Sequence, residues 1–505
     1  MSRTETLNSL EIKVAETNTV FLGLPLVYLM ENAGRSVADA VEERLGGVEG
    51  RKITVFAGKG GNAGDGLVAA RHLASRGARV EVLLFYPPET VNHPDTRFNL
   101  DYISRLDTVK LVRIRDPCSV KPVESDAYID ALLGIGFKGN VRNPVKAAVE
   151  AFNKGDPELK IAVDVPTGVD SDTGQASDPS VRADVTVTMQ YMKPGLLKAG
   201  EYTGEVIVAP IGIPLEARLY VGPGDVKHRV PEKPQDAHKG VGGRVSIIGG
   251  SELYTGAPAL SAMAALRTGS DLAFVYTGEK ASRIVAGFDP DLIVRSCPGD
   301  HLDPQCVEAF IEEWSRSTAV VLGPGLGRHG DTVDAVLELV EKLGESGVPL
   351  VVDADALKAL AGSGVRLPGN TVLTPHRGEA SLMLGHRIGN TLDEWVKAAL
   401  SLAEKTGAVV LLKAPVDVIA SPQGVYRLNR VHHKAMSVGG TGDVLTGITA
   451  ALLSRGLDAY NAAAVAAYIN GRAGEMAVSL YGERITARDL LGFIPEVFKE
   501  AYTKY

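Results

Sequence analysis

Short apolar runs alternate with longer amphipathic segments along most of this chain. The runs cover residues 52–57, 80–85, 161–165 and 185–188, and then 244–249, 319–322, 349–352, 371–373 and 408–412. Their length and their content of Val and Ile are typical of buried strands. Segments between them, such as 66–75, carry apolar residues at helical spacing. A repeated strand–helix order predicts an α/β fold with parallel sheets covered by helices on both faces, which gives three α/β/α layers.

One stretch, residues 214–234, does not follow this alternation. It contains four prolines, mixed charge and little periodicity, as is typical of an inter-domain linker or a long connection. A chain of 505 residues also suits several domains of about 150 residues each. We therefore predict an N-terminal domain over residues 1–215, a linker over 216–235 and a C-terminal domain over 236–505.

The charge balance restricts the classes of partner that the chain is expected to bind. The chain has 53 basic and 61 acidic residues and a net charge of −8, which argues against nucleic acid and membrane surfaces as general partners. The first residues lack the apolar segment of a signal peptide, and no uncharged apolar run approaches the roughly 18 residues of a membrane span. We expect a cytoplasmic homo-oligomer that binds small molecules.

Cysteine usage indicates a reducing compartment. The three cysteines are Cys118, Cys297 and Cys306, which are too few and too scattered to predict a disulfide framework or a zinc site.

A glycine-rich loop, GKGGNAGDG at 58–66, follows the first predicted strand and opens a helix. Such a turn lets backbone N–H groups approach a phosphate, and the helix N-terminus adds partial positive charge. A tight turn without a ligand is the alternative, because the spacing is not G-x-G-x-x-G in the usual register and no P-loop lysine follows.

Two more loops follow predicted strands in this half. Residues 134–140 come after YIDALL, which contains Asp130, and Asp164 leads into Pro166-Thr167-Gly168. Ligands of doubly wound sheets bind at the carboxyl ends of strands, so the three loops predict one crevice. For Asp130 or Asp164 taken alone, a helix cap or a hydrogen-bonded structural carboxylate is the alternative.

The motifs of this half occur in a characteristic order: LMENAGR at 29–35, the loop at 58–66, IDALLGIG at 129–136, VDVPTG at 163–168, KPG at 193–195 and GEV at 204–206. Over roughly residues 10–215 the chain resembles the NAD(P)H-hydrate epimerase family. The resemblance implies a Rossmann-like parallel sheet and interconversion of the R and S hydrates of the reduced nicotinamide ring. It also implies a bound potassium ion.

The resemblance assigns roles residue by residue. It implies that Asn62, Asp130 and Thr167 bind potassium through oxygen atoms, which suit a hard cation. Asp164 would contact the substrate and move a proton at the hydrated carbon. The residues expected to bind the dinucleotide are Gly61, Asn62, Ala63, Gly64, Asp65, Gly134, Ile135, Gly136, Phe137, Lys138, Gly139 and Asn140.

Three positions depart from the family pattern, which usually reads NNGGDG in the loop. Gly61 replaces an asparagine, and Ala63 replaces a glycine and would be strained if the position required a positive φ. Thr167 replaces a serine and keeps the hydroxyl.

The C-terminal half contains GGTGD at 439–443, which opens a predicted helix over 444–453. Successive glycine N–H groups at a helix start form an anion site. Asp443 adds a negative charge there, which suits a general base that takes a proton from a hydroxyl attacking a phosphoryl group. The alternative is a helix N-cap.

Other motifs of this half stand at predicted strand ends. They are residues 322–327, 353–357, 374–379 and 412–414, accompanied by HKG at 238–240, IIGGS at 247–251, YTGAP at 254–258 and ALRTG at 265–269. Over about residues 236–500 the chain resembles the ribokinase-like superfamily and, within it, the ADP-dependent NAD(P)H-hydrate dehydratase family. In that family ADP phosphorylates the ring hydroxyl of the S hydrate, and phosphate then leaves to restore NAD(P)H.

This second resemblance also assigns roles. Contacts with the hydrated substrate are implied for Ala257, Gly325, His376 and Asp443. Nucleotide binding is implied for Lys413, Ala414, Pro415, Val416, Asp417 and Gly442. His376 and Glu379 lie where related kinases organise magnesium, so Glu379 would act through metal-bound water. Without its sequence context, His376 is interpreted as an ordinary histidine at the end of a strand. Ala414 and Asn470 depart from the family's usual glycine and histidine.

Together the two halves predict a bifunctional repair enzyme, because spontaneous hydration yields both epimers and only the S form is dehydrated. A small-molecule kinase with a nucleotide-binding regulatory half is the first alternative, and a non-catalytic sensor or scaffold is the second. The choice of ADP comes from the resemblance. The residues do not decide between ADP and ATP or between NADH and NADPH.

Overall fold

The computed structural model describes residues 5–116, 120–234, 236, 238 and 240–505. Cys118 and Lys239 of the HKG motif therefore lie outside the described residues. The chain divides into two units, Met1–Pro214 and Leu215–Tyr505, and each has its own sheet. No described helix is both long enough and apolar enough to cross a bilayer.

The first unit is built on a parallel sheet of seven strands in the order β3-β2-β1-β4-β5-β6-β7. The strands are β1 Lys52–Ala57, β2 Arg79–Leu84, β3 Val109–Arg113, β4 Ala127–Ala131, β5 Leu159–Val163, β6 Val185–Met189 and β7 Glu205–Ala209. The helices are α1 Ser9–Phe21, α2 Leu26–Leu45, α3 Gly61–Ser75, α4 Pro94–Ile103, α5 Val145–Lys154 and α6 Gly200–Thr203.

The second unit has a nine-stranded sheet in the order β10-β9-β8-β11-β12-β13-β14-β15-β16. The strands are β8 Arg244–Ile248, β9 Leu272–Thr277, β10 Ile293–Ser296, β11 Ala319–Leu322, β12 Leu350–Val352, β13 Thr371–Leu373, β14 Val409–Leu412, β15 Asp417–Ala420 and β16 Tyr426–Asn429. All neighbouring pairs are parallel except β14–β15 and β15–β16.

The helices of this unit are α7 Glu216–Leu219, α8 Pro223–Arg229, α9 Gly256–Thr268, α10 Glu279–Val285, α11 Pro304–Ser315, α12 Gly330–Ser346, α13 Ala354–Leu360, α14 Arg377–Leu384, α15 Leu392–Thr406, α16 Thr441–Ser454, α17 Ala459–Tyr481 and α18 Ala487–Lys504. The predicted α/β fold is thus confirmed in both units. The antiparallel edge formed by β15 and β16 was not predicted.

Strand order reverses once in each sheet. In the first sheet the chain runs outward from β1 to β3 and then returns to the other side of β1 as β4. The second sheet reverses in the same way between β8 and β11. Loops that leave the two central strands diverge at such a point and open a crevice at the carboxyl edge.

The proline-rich segment is partly helical. The range 216–235, predicted as a linker, contains α7 and α8, which belong to the second unit. The buried carboxylate of Asp225 in α8 receives bonds of 2.5 and 2.7 Å from the two terminal nitrogens of Arg427 in β16. Burial opposes ionisation, but Arg427 and Arg229 outweigh it and hold the pKa of Asp225 well below its usual range. This buried ion pair fixes α8 to the edge of the sheet.

The cysteine prediction needs one correction. Cys297 and Cys306 are joined by a disulfide, although scattered cysteines and a reducing setting argued against one. They are nine residues apart in the chain, and their Cα atoms are 5.1 Å apart because the loop after β10 turns back into α11.

Candidate active sites

A cavity of about 820 Å³ lies at the carboxyl edge of the first sheet. Loops after β1 and β4 form its walls, with Asp164 after β5 and Met189 at the end of β6. A Cβ atom on Gly58 would lie 2.1 Å from the carbonyl oxygen of Leu132, so only glycine allows these two loops to approach so closely. The volume is within the usual range of about 300–1,000 Å³ for small-molecule sites.

Most of the residues predicted to bind the dinucleotide line this cavity. They are Gly61, Asn62, Asp65, Gly134, Ile135, Gly136, Phe137, Lys138, Gly139 and Asn140. Ala63 and Gly64 instead face the protein interior on α3, where a Cβ atom on Gly64 would lie 2.5 Å from the side chain of Met30. Ala63 has helical rather than left-handed backbone, so the departure from glycine there causes no strain.

Asn62, Asp130 and Thr167 converge on the carbonyl group of Leu133. The Thr167 hydroxyl lies 2.7 Å from Asp130 Oδ1 and 3.3 Å from the Leu133 oxygen, and Asn62 Nδ2 donates to that same oxygen over 3.0 Å. Burial raises the pKa of Asp130 to about 6, although its hydrogen bonds from Thr167 and Leu132 oppose the shift. These bonds also fit a structural carboxylate, but the oxygen-rich cluster has the composition that a hard cation needs.

Asp164 is held in an unusual conformation at the cavity wall. Its φ is +64°, in the left-handed region that only a few per cent of residues other than glycine adopt, mostly asparagine, aspartate and histidine. Its Oδ1 atom accepts from Met189 N over 3.0 Å and from the buried ammonium of Lys193. That ammonium also donates to Thr188 Oγ1 and to the Met189 carbonyl, over 2.8 and 2.9 Å. The strained backbone and the buried ion pair fix one carboxylate at the cavity, as is common at functional sites.

Lys193 and Glu16 also line this cavity, although no sequence pattern gave either of them a role. Lys193 was noted only as part of the KPG motif, and Glu16 of α1 was not noted at all. Glu16 belongs to a helix outside the strand–helix repeat, so no strand-end pattern indicated it.

The second unit has a cavity of about 760 Å³, bounded by the loops after β13 and β14 and by the start of α16. Of the predicted nucleotide-binding residues, Lys413, Ala414, Pro415, Asp417 and Gly442 line it, whereas Val416 does not. His376 lines the same cavity.

The first turn of α16 begins with Gly440, whose φ of +95° is left-handed. Gly440 is the N-cap, and Asp443 lies three residues further on, so the alternative of Asp443 as the N-cap does not fit. A Cβ atom on Gly442 would lie 3.3 Å from the ammonium nitrogen of Lys413. The glycine turn therefore brings backbone N–H groups and a lysine ammonium to one anion-binding surface.

Asp443 lies in a strongly charged, buried environment. Burial, helped by the nearby carboxylate of Asp353, raises the pKa of Asp443 to about 7, and Lys413 opposes the shift. Asp353 is itself held by Lys413 Nζ over 2.9 Å and by the Thr446 hydroxyl over 2.8 Å. A carboxyl group that titrates near neutral pH suits proton transfer.

His376 and Glu379 cap helix α14 reciprocally. His376 Nδ1 accepts from the backbone N–H of Gly378 and of Glu379, and the Glu379 carboxylate accepts from His376 N over 3.0 Å. This explains Glu379 without a ligand. Nε2 of His376 lies 3.4 Å from Glu379 Oε1, but the His376 side chain is 59% exposed. Nε2 can therefore reach a molecule in the cavity.

Ala257 and Gly325, two other residues predicted to contact the substrate, lie close to each other. A Cβ atom on Gly325, whose φ is +68°, would lie 3.4 Å from Cβ of Ala257. Neither residue lines the 760 Å³ cavity. Ser261, one helical turn after Ala257, donates to the backbone carbonyl of Asp443 over 2.9 Å. Asp443 thus stands between the surface at Ala257 and the cavity at Gly442.

Two more residues line this cavity: His432, which no sequence pattern indicated, and Asn470, which was noted only as a departure from the family pattern. His432 Nδ1 and Asn470 Oδ1 are buried and have no hydrogen-bond partner within the described part of the chain. Helix α17 closely contacts the loop after β16, since a Cβ atom on Gly471 would lie 1.6 Å from the Val431 carbonyl oxygen. Unpartnered buried polar atoms at a cavity wall indicate a bound polar molecule.

Comparisons with known proteins also divide the chain into two parts. A family model described as NAD(P)H-hydrate dehydratase matches residues 245–496, and one described as YjeF-related protein N-terminus matches residues 27–195. The bifunctional NAD(P)H-hydrate repair enzyme Nnr of Hyperthermus butylicus is 44% identical over 499 residues, covering 97% of this chain and 91% of that protein. The protein of the same name from Methanothermobacter thermautotrophicus is 38% identical over 503 residues, covering 98% and 96%.

A solved structure supports the fold of the second unit. A ribokinase-like superfamily protein from Enterococcus faecalis superposes with a TM-score of 0.50 at 21% identity, covering 56% of this chain and 95% of that one. The likeness shows the ribokinase-like fold alone.

Proposed function

The chain belongs to the bifunctional NAD(P)H-hydrate repair enzymes, and on that premise we propose which of its residues carry each activity. It is an NAD(P)H-hydrate epimerase joined to a nucleotide-dependent NAD(P)H-hydrate dehydratase. The full-length match decides against a kinase with a regulatory half and against a non-catalytic scaffold. The observation that carries the residue assignment is that each unit holds a carboxyl group beside a crevice: Asp164 lines the first cavity, and Asp443 directly follows Gly442, which lines the second.

In the first unit, Asp164 is the base that moves a proton at the hydrated ring carbon. Its ion pair with the buried ammonium of Lys193 fixes the carboxylate that accepts the proton of the ring hydroxyl. The dinucleotide lies along Gly61, Asn62, Asp65 and the loop Gly134 to Asn140, with its phosphates near the start of α3.

The oxygen atoms of Asn62, Asp130 and Thr167 fit a potassium ion. The fit rests on Asp130, a fully buried carboxylate with hydrogen-bond donors but no basic partner among the described residues. Bound there, the ion would supply positive charge beside the dinucleotide phosphates and fix the loops after β1 and β4.

In the second unit, Asp443 accepts the hydroxyl proton of the S hydrate while the oxygen attacks the terminal phosphorus of ADP and AMP leaves. The phosphate ester then loses phosphate and a proton from the neighbouring carbon, which restores the ring double bond. Lys413 and the N–H groups at Gly442 hold the transferred phosphoryl group. Ala257, Gly325 and His376 contact the hydrated ring.

The acidic residues near Lys413 fit a magnesium ion held through water. Glu379 is buried, and Asp353 and Asp443 lie close enough to shift the pKa of their common neighbour Lys413 upward. Bound there, magnesium would neutralise charge between phosphoryl oxygens.

The base of the nucleotide contacts the far wall of the same cavity. His432 and Asn470 each hold a free buried polar atom there, and the apolar side chains of Leu445 and Ala467 lie beside them. This combination suits a flat heterocycle with polar edges, such as adenine.

The test supplies hydrated NADH with ADP or with ATP and follows recovery of dihydronicotinamide absorbance. Full recovery from the mixed epimers with ADP is expected. Recovery with neither nucleotide contradicts the repair assignment, and recovery of only the S fraction contradicts the epimerase assignment. The homo-oligomer stays a prediction, which light scattering of the purified chain tests.

A further inference from the structure

Helix α1 brings a carboxyl group to the epimerase cavity from outside the strand–helix repeat. The residues before it pair with the segment after β6, through Leu7 N to the Met192 carbonyl at 2.9 Å. Ser9 at its first turn donates through its backbone N and its hydroxyl to Asp172, over 2.7 and 2.6 Å. The helix is thus fixed to the loops that follow β5 and β6. Ile12 and Glu16, one turn apart, line the cavity.

The cavity holds more carboxyl groups than its buried lysine can neutralise. Glu16, Asp65 and Asp164 all line it, together with Lys193. The three hydrogens of the Lys193 ammonium are used by Asp164, Thr188 and Met189. Asp164 pairs with this lysine, and the charge of its carboxylate acts on the other two carboxyl groups.

Glu16 is one of the two carboxyl groups whose protonated form this charge favours. Burial and the charge of Asp164 raise the pKa of Glu16 to about 7, against the smaller effects of Lys193 and Lys13. Up to a pH of about 7 the site then contains a protonated carboxylic acid together with the carboxylate that pairs with Lys193. Two carboxyl groups whose environments separate their protonation states form an acid–base pair.

We propose that Glu16 is a second catalytic residue of the epimerase site, the acid that works with Asp164 as the base. The inference rests on the proposed role of Asp164. In the hydrate, the hydroxyl-bearing carbon is bonded to the ring nitrogen, since water adds to an enamine at the carbon next to nitrogen. Inversion at that carbon needs a bond to it to break and to form again on the other face.

The step balances with these two groups alone. Asp164 takes the hydroxyl proton, a carbonyl forms, the carbon–nitrogen bond breaks, and its electron pair goes to the ring nitrogen. Glu16 gives its proton to that nitrogen. After rotation about the adjacent carbon–carbon bond, the nitrogen attacks the other face of the carbonyl, Glu16 recovers its proton, and Asp164 returns its own to the oxygen. No oxidant or reductant is required.

Asp65 is the competing candidate for the acid. Burial and the charges of Asp164 and Glu16 also raise its pKa well above the usual value. It lies in the first turn of α3, within the loop proposed to hold the dinucleotide. Loss of its side chain should therefore weaken dinucleotide binding more than it slows proton transfer.

The experiment uses the full chain and pure R hydrate, with chromatographic separation of the R and S epimers. Glu16→Gln is expected to lower kcat for R-to-S conversion by about 10²- to 10⁴-fold, the usual contribution of one general acid, with little change in KM. Glu16→Asp should recover part of the rate. Glu11→Gln on the same helix is the control, because Glu11 does not line the cavity.

The pH profile separates catalysis from structure. With Asp164, Asp65, Lys193 and Lys13 facing Glu16, the acid form is lost as pH rises through about 7, so wild-type epimerisation should fall above that pH. The slow reaction of Glu16→Gln should lack this fall. Dehydration of S hydrate by the same variant should be unchanged, which shows that the second unit is intact, and an unchanged KM for R hydrate shows that the first unit still binds its substrate.

Two results would overturn the proposal. One is a wild-type rate and pH profile in Glu16→Gln. The other is a large loss of kcat in Asp65→Asn with only a small loss in Glu16→Gln, which would make Asp65 the acid. If Asp164→Asn stays active while Glu16→Gln does not, the role of Asp164 fails and that of Glu16 stands.

Discussion

Lys413 Nζ lies 2.9 Å from Oδ1 of Asp353, directly beside the glycine turn that opens α16. Burial disfavours the ammonium, but Asp353, Glu379 and Asp443 outweigh it and raise the pKa of Lys413. The lysine therefore neutralises a cluster of acids, and in the proposed mechanism it also binds the transferred phosphoryl group.

Replacement of Lys413 by Met should leave Asp353 buried without its partner. Breaking such a pair typically costs about 3–5 kcal/mol, so urea unfolding should show a large loss of stability. Asp353→Asn combined with Lys413→Met should recover much of it, since both charges are then removed. Equal losses in the single and double variants would show that the pair contributes nothing.

Asp443→Asn should abolish dehydration of S hydrate and leave epimerisation intact. An amide cannot accept the hydroxyl proton, so a loss of at least about 10²-fold in kcat is expected. In the wild type, burial and Asp353 raise the pKa of Asp443 to about 7. The base works when ionised, so the dehydration rate should decline as pH falls below about 7. A rate independent of pH from 5.5 to 8 argues against this base.

Asp164→Ala should produce the reverse pattern. S hydrate should be consumed at the wild-type rate, while R hydrate should remain because its conversion has lost the base. A progress curve from mixed epimers should therefore stop once the S fraction is used, apart from slow spontaneous epimerisation. Complete consumption at the wild-type rate would remove Asp164 from the mechanism.

Thr167→Val keeps the shape of the side chain and removes one proposed potassium ligand. Epimerisation by the wild type should be faster in potassium chloride than in choline chloride at equal ionic strength. The variant should need at least about tenfold more potassium to reach the same rate, as is usual for damage to a metal site. Thr186→Val is the matched control, because that buried hydroxyl bonds only to the Thr203 carbonyl among the described residues. Equal rates in both salts would refute the ion site.

Asn470→Leu should raise KM for ADP and reduce the preference for ADP over GDP, with kcat nearly unchanged. A neutral hydrogen bond contributes about 0.5–1.5 kcal/mol, so an increase of about 2- to 10-fold is expected. His432→Phe should act in the same direction. Unchanged selectivity in both variants would place the base elsewhere.

Local patterns predicted the sheets well because strands buried on both faces are recorded as continuous apolar runs. The runs at 52–57, 319–322 and 371–373 coincide with β1, β11 and β13. The run at 161–165 ends earlier than predicted, since Asp164 leaves the strand with a positive φ. The pairing of Cys297 with Cys306 was missed because spacing alone does not show how a loop turns back.

The sequence by itself determined the two α/β units, the glycine turns at 58–66 and 439–443, the strand-end carboxylate Asp164 and the helix-start carboxylate Asp443. These features are local, because strand ends and helix starts are encoded by neighbouring residues. Only the tertiary structure decided which distant groups meet them: Glu16 and Lys193 at Asp164, and Asp353 and Lys413 at Asp443. Such encounters depend on how separate elements pack, and burial and neighbouring charge then set the protonation that makes each carboxyl group useful.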